Sequence, residues 1–247
     1  MESLDFSYNE IDSSCAKDFF IGLESLSSLK VLKVTTVFNN KFEMSKMFCN
    51  SLKNLKNLES LDFSLNQIDS SFAKDFCIGL ESLSSLKVLK VCKVFKDNFE
   101  MSKMFSVSLK NLKILESLNF RGNIMRSSFS EDFFVGLESS ASTFKRLDFS
   151  NCFKFLESES QIFKDSFTDL ANCLPKFTKL ENLDLSNCNL ASIDSSIVKK
   201  LITDVKKNCH SLISFNLQDN KLIGYDVQEH FLSNFNNNIK PGTWDIS

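Results

Sequence analysis

Apolar and polar positions along the chain follow two alternating rhythms. In Leu58-Glu59-Ser60-Leu61-Asp62-Phe63-Ser64-Leu65-Asn66, residues Leu58, Leu61 and Phe63 are apolar, whereas Glu59, Asp62 and Ser64 are polar. This is the pattern of a short strand with one buried and one solvated face. Similar stretches begin at Met1, Leu115 and Leu180, with looser versions between them. Between strands the apolar spacing becomes helical. Ile197, Val198, Leu201, Ile202 and Val205 form one stripe, and Lys199, Lys200, Lys206 and Lys207 lie largely off it. Asp12-Ser13-Ser14 and Asp69-Ser70-Ser71 are expected to cap the helices that follow. Ser128-Phe129-Ser130-Glu131 has the spacing of a capping box.

The second apolar position of the strand falls at Leu4, Leu32, Leu61, Leu89, Leu118, Leu147, Leu183 and Phe215, at intervals of 28, 29, 28, 29, 29, 36 and 32 residues. Such fixed self-similarity predicts a solenoid. One unit cannot bury its own leucines, so stacked neighbours supply the core. Eight strands at roughly 4.8 Å each give a sheet about 40 Å along the stack. Residues 2–58 and 59–115 are near copies, with 24–34 and 81–91 identical, so the duplicated unit is a pair of repeats. After Leu118 the copies diverge. Phe153–Ser160 falls in the interval of 36 and reads as an extended acidic loop, and Pro175 follows the helix of that repeat.

The pattern Leu-x-x-Leu-x-Leu-x-x-Asn resembles the leucine-rich repeat family, and the alternation of 28 and 29 resembles its ribonuclease-inhibitor-like subclass. That resemblance implies an α/β solenoid, a curved horseshoe with a parallel β-sheet on its concave face and α-helices on its convex face. About eight repeats would fill residues 1–235, leaving 236–247 as a C-terminal tail or cap with Trp244 as its apolar plug. Met1 stands where Leu58 and Leu115 stand, so the array opens inside a repeat. Either upstream sequence is missing or something docks there.

Composition adds limits. A net charge of −2 and a pI near 5.8 give no broad attraction for nucleic acid or anionic membrane. No apolar run approaches the length of a spanning helix, and the first residues carry no signal-peptide pattern. Cys15, Cys77, Cys92 and Cys49 align with Phe72, Phe20, Thr35 and Ser106, which argues against disulfide pairing and for reduced, mostly buried thiols in a cytoplasmic or nuclear protein. The 26 phenylalanines often stand where leucine would serve, and are read as compositional bias rather than an aromatic site.

On the exposed sheet face one column reads Asp5, Lys33, Asp62, Lys90, Asn119, Asp148, Asp184, Asn216. Three positions earlier it reads Glu2, Lys30, Glu59, Lys87, Glu116, Lys145, Glu181, Ile213. Opposite charges therefore become lateral neighbours, a self-neutralising ladder through the first four repeats. Repeats five to eight break it. All three arginines, Arg121, Arg126 and Arg146, fall in repeats five and six, and Asp148 and Asp184 are adjacent like charges. The candidate partner-binding residues are accordingly Asn119, Arg121, Arg146, Asp148, Asn151, Asp184, Asn187, Asn216 and Asp219, the asparagines and Asp219 extending the set to the strand exits.

No nucleophile, base and orienting acid can be assembled around His210 or His230, His210 being expected in a turn. No metal, cofactor or small-molecule site is expected. The reading is a non-enzymatic scaffold for a protein partner. Its alternatives come from resemblance: a module like the Ran GTPase-activating proteins, with Arg121 or Arg126 as its charged residue, or the recognition part of a larger adaptor or sensor.

Overall fold

In a computed structural model the described residues form eight strand–helix units in sequence order. They are β1 Ser3–Asp5, α1 Ser13–Glu24, β2 Val31–Lys33, α2 Phe42–Leu52, β3 Ser60–Asp62, α3 Ser70–Leu80, β4 Val88–Lys90 and α4 Phe99–Asn111, followed by β5 Ser117–Asn119, α5 Ser127–Glu138, β6 Arg146–Asp148, α6 Ser160–Cys173, β7 Asn182–Asp184, α7 Ser195–Asn208, β8 Ser214–Asn216 and α8 Tyr225–Phe235. The structure describes all residues except 12, 39–41, 67, 69, 96–98, 126, 154–159, 222–224 and 236–247. Trp244, Asp12 and Asp69 lie outside the described residues.

The strands pair in parallel in the order β1 to β8, and the register places Leu4, Leu32, Leu61, Leu89, Leu118, Leu147, Leu183 and Phe215 in one row. Helices need roughly 8–10 Å of lateral room and strands about 4.8 Å, so the stack curves with the sheet inside. The fold is an α/β leucine-rich-repeat solenoid.

The third apolar position of the strand points into the core beside the helices. Phe63, Phe120 and Phe149 hold it in repeats three, five and six, each at most 2% exposed. The Phe63 ring stacks on Phe76 at 4.4 Å and on Phe48 at 5.4 Å. The abundant phenylalanine is thus core material. So is Phe153, which lies in a bend after β6, packs against Phe167 and is fully buried; Ser160 begins α6, and residues 154–159 of the expected acidic loop lie outside the described residues. Ser128 lies one residue inside α5 and so is not its N-cap. A described Asp-Ser-Ser cap occurs at α7, where Asp194 accepts from the amide of Ser196 at 2.8 Å.

The last motif position carries Asn66, Asn123 and Asn220, all buried. Asn66 Oδ1 accepts from the amides of Val37 and Phe38 at 2.7 and 2.9 Å, and its Nδ2 donates to the carbonyls of Val34 and Phe63. Asn123 repeats this with Val94, Phe95, Val91 and Phe120. Cys152 and Cys188 occupy the same position in repeats six and seven, and their thiols donate to the carbonyls of Phe120 and Phe149, each at 3.2 Å. The thiol keeps the donor half of the asparagine clip and loses the acceptor half.

Immediately before that position the backbone turns left-handed in all eight repeats, at Tyr8, Thr36, Leu65, Lys93, Gly122, Asn151, Asn187 and Asp219, with φ between 52° and 70°. Gly, Asn and Asp tolerate this conformation, whereas a β-branched residue is strained in it. Thr36 bears that strain and also has a buried hydroxyl with no hydrogen-bond partner among the described residues.

Candidate functional site

The paired register turns the two charge columns into contacts. Lys30 meets Glu2 at 2.9 Å, Lys87 meets Glu59 at 2.7 Å and Lys145 meets Glu116 at 2.8 Å. Lys33 meets Asp5 at 3.3 Å and Lys90 meets Asp62 at 3.6 Å. These side chains are mostly about half exposed, so solvent screens the pairs and each adds little to stability. Their larger effect is to cancel the field of the first four repeats.

From β5 onward the Lys145–Glu116 pair alone continues this cancellation among the described residues. Arg121 and Arg146 are exposed, and neither guanidinium has an ion-pair partner among the described residues. Asp148 and Asp184 are direct lateral neighbours in the register. A hollow of about 420 Å³ opens on this face, walled by Lys90, Asn119, Arg146, Asp148, Asp184 and Asn216 among others. Five of the nine candidate residues therefore share one concavity.

Both carboxylates are half used by their own strand exits. Asp148 Oδ1 accepts from the Ser150 amide at 3.0 Å and its hydroxyl at 2.6 Å; Asp184 Oδ1 takes the same pair from Ser186 at 2.8 and 2.7 Å. Asn119 and Asn216 accept likewise from the amides of Arg121 and Gln218. Asn216 also donates to Asp184 Oδ2 at 3.0 Å. Asp148 Oδ2 has no hydrogen-bond partner among the described residues. Burial, aided by the charge of Asp184, holds the Asp148 carboxyl above its ordinary value against the Ser150 bonds and Arg121.

That shift makes a prediction. A carboxyl raised in the folded state costs stability once both states are ionised, and the cost disappears as pH falls below the unfolded value near 3.9. Asp148→Asn keeps the turn acceptor, as Asn119 and Asn216 do in the same column. It is expected to raise the melting temperature at neutral pH, with the gain vanishing at about pH 3. Melting curves of both proteins across this range check it.

Three candidates have a different explanation. Asn151, Asn187 and Asp219 occupy the left-handed turn position, with φ of 61°, 53° and 59°. Asn187 Nδ2 donates to Asn151 Oδ1 at 2.9 Å, so these two amides join neighbouring turns beyond the hollow. Arg121 stands at the β5 exit, and Arg126 lies outside the described residues. The site also includes Asn182, Ser117 and Ser214, which the candidate set omits. Their signal was the residue before the inward leucine: it is Val31 and Val88 in repeats two and four, but polar throughout repeats five to eight.

His210 lies in a turn before β8, and His230 Nε2 is 2.9 Å from Thr203 Oγ1. No group of three or more metal-ligating side chains occurs among the described residues. Burial pushes the thiols of Cys77 and Cys188 up to about 12 and that of Cys209 to about 11, so these are not thiolates at neutral pH. None of the described helices is long and apolar enough to cross a membrane.

Comparison with known proteins agrees with the architecture. A family profile described as Leucine Rich Repeat matches residues 179–201, the segment running from the end of repeat six into α7. No curated protein matches the sequence. Among solved structures, an internalin from Listeria monocytogenes aligns over 100% of this chain and 57% of its own, with a TM-score of 0.54 and 21% identity. The chain thus spans somewhat more than half of that protein's length. A likeness at this identity concerns the fold: a stack of leucine-rich repeats.

Proposed function

We propose that the chain is a non-enzymatic scaffold that holds a protein partner on its concave face, over the hollow of repeats five to eight and the adjoining strand exits. The observation that carries this reading is the break in the charge ladder. Two guanidiniums have no ion-pair partner among the described residues and two carboxylates stand side by side, on a face whose other half is neutralised strand by strand. Fixed charges on a rigid sheet favour a partner of complementary pattern and disfavour others. The planar fork of arginine suits such contacts. A full helix in each repeat supports the ribonuclease-inhibitor-like subclass, and the buried thiols support a cytoplasmic or nuclear setting.

The test is capture from a cell lysate, read by mass spectrometry, with the wild type beside Arg121→Glu/Arg146→Glu/Asp184→Lys. The variant is first shown by circular dichroism and melting to stay folded. A protein retained by the wild type and lost by the variant supports the site; the same set retained by both removes it. A second reading, a GTPase-activating module, rests on Arg121, which stands at a strand exit with no ion-pair partner among the described residues. Stimulated GTP hydrolysis lost on Arg121→Ala is its signature.

A further inference from the structure

The first half of the concave face shows what an aspartate in its central column does with its two oxygens. Asp5 Oδ1 accepts from the Ser7 amide at 3.1 Å, and Asp62 Oδ1 accepts from the Ser64 amide at 3.1 Å. The second oxygen of each meets a lysine of the next strand, Asp5 Oδ2 with Lys33 at 3.3 Å and Asp62 Oδ2 with Lys90 at 3.6 Å. One oxygen holds the strand-exit turn and the other holds a cation.

Asp148 and Asp184 keep the first half of this arrangement, on Ser150 and Ser186. They lack the second. The register puts Asn119 and Asp184 beside Asp148, and Asp148 and Asn216 beside Asp184, so neither neighbouring strand brings a lysine to the column. The Asn216 amide reaches Asp184 Oδ2 at 3.0 Å, while Asp148 Oδ2 has no hydrogen-bond partner among the described residues. A hard metal ion takes about six oxygen ligands, and two carboxylates with a committed amide are too few. A nitrogen cation needs only what Lys33 and Lys90 already receive.

We propose that the hollow takes a lysine or arginine side chain of the protein partner, its nitrogen on Asp148 and Asp184 in the role that Lys33 has for Asp5 and Lys90 for Asp62. This rests on the scaffold reading above and names the chemistry of its partner. The two arginines extend the pattern. Arg146 stands two residues before Asp148 on one face of β6, about 7 Å along the strand, and Arg121 stands at the opposite end, at the exit of neighbouring β5 and about 8 Å away. Alternate side chains of an extended segment are also about 7 Å apart. The complementary segment therefore reads acidic-x-basic-x-acidic. Ser117, Asn182 and Ser214, small or neutral, line the hollow around the carboxylates and set no charge against the incoming cation.

The probe is the end-blocked peptide Glu-Thr-Lys-Thr-Glu, titrated by NMR into the full chain at low salt beside the same peptide with norleucine in place of lysine. The lysine peptide should bind about tenfold tighter, the discrimination expected of one close charge pair. Asp148→Asn/Asp184→Asn keeps the turn acceptors, and should erase that preference while leaving the affinity for the norleucine peptide unchanged. If the wild type binds both peptides alike, or the double variant still prefers lysine, the proposal fails. Capture from lysate separates this from the scaffold reading. A protein lost by the triple charge variant but retained by Asp148→Asn/Asp184→Asn upholds the reading and overturns the proposal. The same set retained by the wild type and the triple variant removes the reading, and the proposal with it.

Discussion

Asn66→Ala is expected to destabilise the protein by about 3–5 kcal/mol, because two buried amides lose their acceptor at about 1–3 kcal/mol each and two carbonyls lose a donor. The amides of Val37 and Phe38 lie in the interior and converge on the one Oδ1. No water can replace it without opening the stack. Asn9→Ala is the internal control: its Nδ2 also donates to two carbonyls, but the site is exposed and water takes its place. Its loss should cost under about 1 kcal/mol. Urea unfolding followed by far-ultraviolet circular dichroism separates the two. Equal effects would mean that the clip is not what holds repeats two and three together.

Phe63→Ala should cost about 3–5 kcal/mol, the usual range for removing a buried aromatic ring. The ring is fully buried and lies within 5.6 Å of Phe38, Phe48, Phe72 and Phe76, centroid to centroid. Its deletion empties the middle of an aromatic cluster that ties α2 and α3 to the sheet. Phe6 is the same residue one repeat pair earlier but half-buried, so Phe6→Ala should cost only about 1–2 kcal/mol. The same urea titration measures both, and the difference between the copies reads the value of burial at constant local sequence.

The register was legible because a period of 28 or 29 leaves no freedom: once Leu61 pairs with Leu32, every column follows. The ladder followed with it, since opposite charges at equivalent positions must meet. The strand-exit turn was not legible. Four repeats fill a left-handed position with Tyr8, Thr36, Leu65 and Lys93, which carry no signal for it, and the four that do carry one are the divergent repeats. Asn151, Asn187 and Asp219 therefore looked like a concentration of polar chemistry, when backbone conformation suffices to choose them. The burial of Phe153, in the bend after β6, was hidden for a related reason: the long interval of repeat six conceals where the core resumes. Asp148, Asp184 and Arg146 needed no such rereading, because lateral neighbours on a sheet are fixed by register alone.

The two kinds of clip alternate along the stack. Exposed lysine–carboxylate pairs join repeats one to two, three to four and five to six. Buried asparagines join two to three, four to five and seven to eight. The seam between six and seven has neither among the described residues: thiols on carbonyls and the amide pair of Asn151 and Asn187 span it, and Asp148 repels Asp184 across it. Regarded as a spring, the horseshoe alternates buried joints that salt leaves untouched with exposed ones that it screens, and the joint through the hollow has neither kind among the described residues. Any change of curvature at that joint would alter the spacing of Asp148 and Asp184, which are paired across it.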